Sequence, residues 1–196
     1  MNIWTQWNDL SIPQGMTHLQ TDGFIPSESQ LEDIEFYVPS YMGGVKTLEV
    51  MAKMKNLKTV HYSQAGYDDI LPHVPDNVIL CNASGLHDVS TAELAIGHIL
   101  ALSRFIPDAN ASLKAGEWKR SKFTGIELYE KTIGIIGLGR IGTLVAQRLA
   151  GFGAKLIGYD PYVTPARAEQ IGVKLATIDE VLEQSDFITI HIPKTP

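Results

Sequence analysis

Short aliphatic runs alternate along this chain with longer stretches in which apolar positions recur every third or fourth residue. A continuous or alternating run predicts a strand, and the 3.6-residue period predicts a helix. Their regular succession is the pattern of an α/β protein. In the first half, strands are expected near residues 3–5, 34–38, 59–62 and 78–80, with a helix over 45–54. A long helix is expected to open at Thr91, with Ser90 as its N-cap and Glu93 at capping-box spacing, and to run toward Phe105 until Pro107 interrupts it. A second helix follows over 108–114 and ends at Gly116.

The pattern is cleaner from Lys131 onward. Residues 132–136 read as a continuous apolar strand, as expected where both faces of a parallel sheet are covered. Ile141, Leu144, Val145, Leu149 and Phe152 then fall at helical spacing. Further strands are expected over 155–159, 173–175 and 187–192, with helices over 165–171, led by Pro165, and over 178–184. Four such strands with their crossovers are rather more than half of a doubly wound sheet. The domain boundary falls within residues 95–115, giving a first domain over 1–98 and a second over 99–196.

Composition narrows the class. The 196 residues are 44% hydrophobic and 19% charged, as in an ordinary globular chain. A net charge of -6 with no basic stripe argues against a nucleic-acid partner. No apolar run approaches the roughly 20 residues of a membrane span. The opening Met1-Asn2-Ile3-Trp4 has neither the basic lead nor the apolar stretch of a signal peptide. Cys81 is the one cysteine, which rules out an internal disulfide and a cysteine-based zinc site. The expectation is an acidic, cytoplasmic protein with no nucleic-acid, membrane or metal partner.

Candidate chemistry concentrates in Gly137-Leu138-Gly139-Arg140-Ile141-Gly142, set between a buried strand and an amphipathic helix. That is the context in which a GxGxxG loop binds a dinucleotide. Gly137 permits the tight turn, Gly139 lets the backbone approach a pyrophosphate, and Gly142 lets the helix lie close on the strand. The pyrophosphate would rest on free N–H groups at the positive helix end, around Arg140 and Ile141, with the Arg140 side chain adding a charge-assisted contact. Eighteen residues after Gly142, Asp160 ends the next strand. A carboxylate there accepts from both ribose hydroxyls and repels a 2′-phosphate, which favours NAD over NADP. The plainer alternative is a turn with a capping acid, and methyltransferases and flavoproteins carry versions of the loop. Tyr162 either covers an adenine edge or is a surface tyrosine.

At these residues the chain resembles the D-isomer-specific 2-hydroxyacid dehydrogenase family. Lys131 to Gly142 is similar to the family's fingerprint, and His191-Ile192-Pro193-Lys194-Thr195-Pro196 resembles its His-Leu-Pro-Leu-Thr segment. From Glu117 on, including Tyr159-Asp160-Pro161-Tyr162 and Pro165-Ala166-Arg167, the likeness is to phosphoglycerate dehydrogenases. Upstream, Ser63-Gln64-Ala65-Gly66-Tyr67-Asp68 resembles the loop whose backbone N–H groups hold the substrate carboxylate, which would assign that role to Ala65 and Gly66. A plain strand-to-helix turn is the alternative there. Asn82-Ala83-Ser84-Gly85-Leu86-His87-Asp88 is nearer to a shorter-loop branch, as in an unusual homologue or a fusion.

The resemblance implies a flavodoxin-like substrate domain followed by an incomplete Rossmann NAD-binding domain. It also implies hydride transfer between NAD and a small 2-hydroxy or 2-keto acid. It places His191, Pro193 and Thr195 on the nicotinamide wall rather than in acid–base chemistry. The family's catalytic histidine, its carboxylate and its substrate arginine lie beyond that segment, so no catalytic residue is assigned within 1–196. The alternative is therefore an NAD-binding module without turnover, while a methyltransferase-type domain is disfavoured. Of the scattered histidines, His87 beside Asp88 reads as a surface residue and His98 as a core or interface residue. A homodimer is implied through the long helix, and the apolar strand 187–192 as a sheet edge predicts self-association on its own account.

Overall fold

The computed structural model describes residues 1–19 and 25–193. The chain divides into two compact units, Met1–His87 with Pro193, and Asp88–Ile192.

In the first unit, β1 (Asn2–Thr5), β2 (Thr17–Leu19), β3 (Phe36–Val38), β4 (Thr59–Tyr62) and β5 (Ile79–Asn82) form a parallel sheet in the order β2-β1-β3-β4-β5. That is the flavodoxin-like order 2-1-3-4-5. Leu31, Ile34, Tyr37, Met51, Val60 and Ile70 are almost wholly buried in its core. Trp4 stacks on Tyr37 with ring centroids 4.7 Å apart. Among the described strands and α-helices, β2 and α1 (Glu28–Glu32) escaped the sequence pattern, because each is too short to establish a period. The helix expected over 45–54 is α2 (Val45–Glu49) followed by a tighter 3-10 turn over Val50–Lys53.

In the second unit, α3 (Asp88–Ser103) and α4 (Ile106–Lys114) precede four parallel strands. These are β6 (Thr132–Ile136), β7 (Lys155–Tyr159), β8 (Lys174–Leu175) and β9 (Phe187–Ile190), in the order β8-β7-β6-β9. Between them lie α5 (Arg140–Ala150), α6 (Pro165–Gln170) and α7 (Ile178–Gln184). The order corresponds to 3-2-1-4 of a Rossmann sheet, so the α/β fold is that of a doubly wound domain. Ala92, Ile96 and Ile99 of α3 share one apolar cluster with Ile133 and Ile135 of β6 and with Val145 and Leu149 of α5.

One boundary differs from expectation in a way that matters for the site. α3 begins at Asp88, three residues before Thr91, and Ser90 lies inside the helix rather than capping it. The Leu86 N–H reaches back to the Ala83 carbonyl (3.1 Å) across a turn that holds Gly85 at φ 97°. The chain therefore arrives at Asp88 already poised to start a helix, and an aspartate is favoured there by the helix dipole. Glu93 pairs with Arg148 of α5 at 3.7 Å instead of closing a capping box.

Candidate functional site

The glycine loop joins β6 to α5 at the carboxyl end of the sheet, where ligands of such sheets bind. Gly137 has φ 90°, and its N–H donates to the Tyr159 carbonyl of the neighbouring strand at 2.9 Å. A Cβ at this position would meet the His191 carbonyl oxygen at 2.7 Å. Gly142 is buried, and a Cβ there would be driven into the Gly137 carbonyl oxygen and 3.0 Å from its carbon. At Gly139, by contrast, a Cβ would meet no atom within 4 Å. Gly139 is the N-cap of α5 and has no side chain to cap it, so the N–H groups of Arg140, Ile141 and Gly142 lack acceptors within the helix. Two glycines thus hold the turn and the helix together, while the third keeps open ground in front of a positive helix end. That cradle fits a pyrophosphate.

Asp160 stands just past β7, half-buried. Its Oδ2 accepts from the Leu138 N–H and its Oδ1 from the Tyr162 N–H, both at 2.8 Å. A carboxylate has about four acceptor sites, so two remain, the number that a pair of ribose hydroxyls needs. Tyr162 is 92% exposed. Ile141 is half-buried and packs on the core cluster. The Arg140 side chain is placed unexpectedly: its Nε donates to Oδ2 of Asp88 at 2.6 Å. Asp88 is 6% exposed, whereas its position beside His87 in the sequence gave no sign of burial.

His191 follows β9, its N–H bonded to the Ile136 carbonyl at 2.7 Å and its Nε2 2.9 Å from the Thr189 hydroxyl. Burial lowers the pKa of its imidazole from the ordinary histidine value, which favours the neutral form. Pro193 is exposed, and Thr195 lies outside the described residues. The structure therefore gathers Gly137, Gly139, Arg140, Ile141, Gly142, Asp160 and His191 in one unit.

In the first unit, the loop after β4 is tied to the end of β5 and the residue that follows it. The Asn82 amide donates to the Ala65 carbonyl at 2.7 Å, and the Ala83 N–H to the Gln64 carbonyl at 3.0 Å. Those bonds occupy carbonyls, and no backbone bond among the described residues uses the N–H groups of Ala65 or Gly66. A cavity of about 310 Å³, lined by Ser40, Met42, Gly43, Tyr62, Gln64 and Asp69 among others, opens in the same unit. The Tyr62 hydroxyl donates to Asp69 Oδ2 and accepts from the Gln64 amide, each at 2.6 Å. Burial, reinforced by Asp69, pushes the Tyr62 hydroxyl above its ordinary range. No local motif marks this cavity, because its walls come from separate stretches of chain.

Residues 96–196, over half of the chain, match the family model described as D-isomer specific 2-hydroxyacid dehydrogenase, NAD binding domain. The chain belongs to that family. Its cofactor is NAD, and the open ground at Gly139, the free helix start and the two remaining acceptor sites of Asp160 all fit it. Among curated relatives, D-3-phosphoglycerate dehydrogenase of Mycobacterium bovis is 49% identical over 150 residues, or 76% of this chain and 28% of the relative. That of Methanocaldococcus jannaschii is 46% identical over 153 residues, or 76% of this chain and 29% of the relative. The chain thus spans less than a third of these relatives' length. Among solved structures, D-lactate dehydrogenase from Aquifex aeolicus complexed with NAD and lactic acid superposes with a TM-score of 0.80 at 25% identity, covering 100% of this chain and 61% of that one. NAD-dependent formate dehydrogenase from Staphylococcus aureus in complex with NAD gives a TM-score of 0.78 at 30% identity, covering 100% and 66%.

Proposed function

We propose that this chain is the substrate- and cofactor-binding part of an NAD-dependent oxidoreductase of D-2-hydroxy acids, similar to phosphoglycerate dehydrogenase. The single observation that carries the reading is the 137–142 loop, with its open Gly139 and with Leu138 tied to Asp160. NAD supplies the hydride acceptor when bound. The residues of this chain bind and orient: the α5 N-terminus receives the pyrophosphate, Asp160 takes the ribose, and His191 stands on the nicotinamide side. The substrate is a small 2-hydroxy or 2-keto acid whose carboxylate is held by the N–H groups of Ala65 and Gly66. The cavity beside Tyr62 has the Asp69 carboxylate in its wall and neither lysine nor arginine in its lining, so it suits a short uncharged tail better than a phosphate.

A fluorescence titration of the chain with NADH and NADPH tests this reading. Saturable binding with NADH preferred is expected, and no binding of either cofactor would overturn it. One observation favours a second reading, an NAD-binding module without turnover. An acid–base histidine needs a carboxylate to raise its pKa, whereas His191 faces the Thr189 hydroxyl and burial lowers it.

We also propose that the chain self-associates, as a homodimer. Leu94 and Leu102 of α3, Ile106 and Leu113 of α4, and Trp118 are each more than half exposed, as is Ile190 on the edge strand β9. Apolar surface of this kind marks an interface, and an unpaired strand edge is a template for pairing. Sedimentation at micromolar concentration is expected to give a dimer. A monomer would count against it.

A further inference from the structure

We infer that Asp88 is a positioning residue for dinucleotide binding: its carboxylate holds the Arg140 guanidinium at the mouth of the glycine loop. The inference rests on the reading of that loop as the NAD site.

Asp88 and Arg140 are 52 residues apart in the chain, and each is the first residue of its helix, α3 and α5. Elsewhere the two helices share an aliphatic cluster and one longer pair, Glu93 with Arg148 at 3.7 Å, whose acid is exposed. A carboxylate at a helix start can remain in solvent and still favour the helix, and burying one is costly unless a cation pairs with it. Here the Asp88 side chain is 9% exposed, while that of the arginine that meets it is 66% exposed. The pair is therefore one-sided, with a fixed acid inside and a cation presented outside.

The contact runs through Nε at 2.6 Å. A guanidinium has five N–H donors in a rigid fork, so the Nη donors remain to meet phosphate oxygens. Arg140 directly follows Gly139, the residue with no neighbour where its Cβ would stand. A free arginine gives up rotamer freedom when it grips a ligand, and one that is already anchored gives up less. Asp88 also brings a negative charge, but its contact with the guanidinium largely offsets that charge, so anchoring is expected to outweigh repulsion.

A simple staple between α3 and α5 would change melting temperature without distinguishing ligands. A positioning residue changes affinity only for ligands that carry the pyrophosphate. The test titrates the full chain with NADH, ADP-ribose and adenosine, the last lacking the pyrophosphate. Asp88→Ala is expected to weaken NADH and ADP-ribose roughly three- to tenfold, the worth of immobilising one long side chain, and to leave adenosine unchanged. Asp88→Asn retains an acceptor for Nε and is expected to restore most of the loss. In an Arg140→Ala background, Asp88→Ala is expected to add nothing.

Equal loss for all three ligands, no loss, tighter pyrophosphate binding, or the same loss without Arg140 would each overturn the inference. Should Asp88→Ala fail to fold, Asp88→Ser, which keeps a good helix-start residue, replaces it with the same expectations. If the unaltered chain binds neither NADH nor ADP-ribose, the NAD-site reading fails as well. Binding that is indifferent to residue 88 sinks the positioning role alone.

Discussion

Gly139→Ala is expected to weaken NADH binding at least about tenfold while leaving the fold intact, and Gly142→Ala to cost both. The difference lies in what each new methyl group would meet. At Gly139 nothing lies within 4 Å and the backbone is extended at φ -66°, so alanine is accommodated without strain. The cost of alanine at an N-cap and the gain from restricting the unfolded chain are each below about 1 kcal/mol and oppose one another. The methyl group would then occupy the open ground where a pyrophosphate must approach, for a loss of at least about tenfold in affinity. At Gly142 the methyl group would collide with the Gly137 carbonyl and lie 3.5 Å from Ile135 Cγ2. Helix α5 would have to lift from β6, at roughly 1–3 kcal/mol for an overpacked core, or about 2–10 °C in melting temperature for a chain of this size. Thermal melts and NADH titrations of both variants separate the two effects. If Gly139→Ala melts as low as Gly142→Ala, or binds NADH normally, the division of roles among these glycines is wrong.

Asp160→Ala is expected to cost roughly 10- to 100-fold in NADH affinity, the worth of one or two hydrogen bonds to a charged group. The preference for NADH over NADPH should collapse at the same time. The carboxylate has two tasks: it accepts from the Leu138 and Tyr162 N–H groups, which sets the loop, and it keeps acceptor sites and a negative charge toward the ribose. Asp160→Asn separates them. The amide retains an oxygen for a loop N–H but lacks the charge that repels a 2′-phosphate, so NADPH binding should improve while the fold is kept. Paired titrations of both variants with both cofactors check this. NADPH still excluded from both variants would show that discrimination lies elsewhere.

The strand–loop–helix from Thr132 to Ala150 and the acid at Asp160 were legible because their signals are local. An apolar run, three glycines at fixed offsets and a helical period are all written within a few turns of one another. The assignment of Ala65-Gly66 rests on the resemblance, since a short loop after a strand carries little information of its own. The start of α3 was misplaced because Ser90 and Glu93 form a credible capping box, whereas the preceding Gly85 turn had already set the helix going. The Asp88–Arg140 pair could not be read at all, because 52 residues of chain separate its members.

By itself, then, the sequence determined the α/β class, the glycine loop between strand and helix and the acid after the next strand, because periodicity and backbone stereochemistry act between near neighbours. Only the tertiary structure decided the strand orders β2-β1-β3-β4-β5 and β8-β7-β6-β9, the Tyr62–Asp69–Gln64 cavity and the burial of Asp88 against Arg140. Those depend on which distant segments the chain path brings side by side. A carboxylate at a helix start reads the same in the sequence whether it faces water or an arginine.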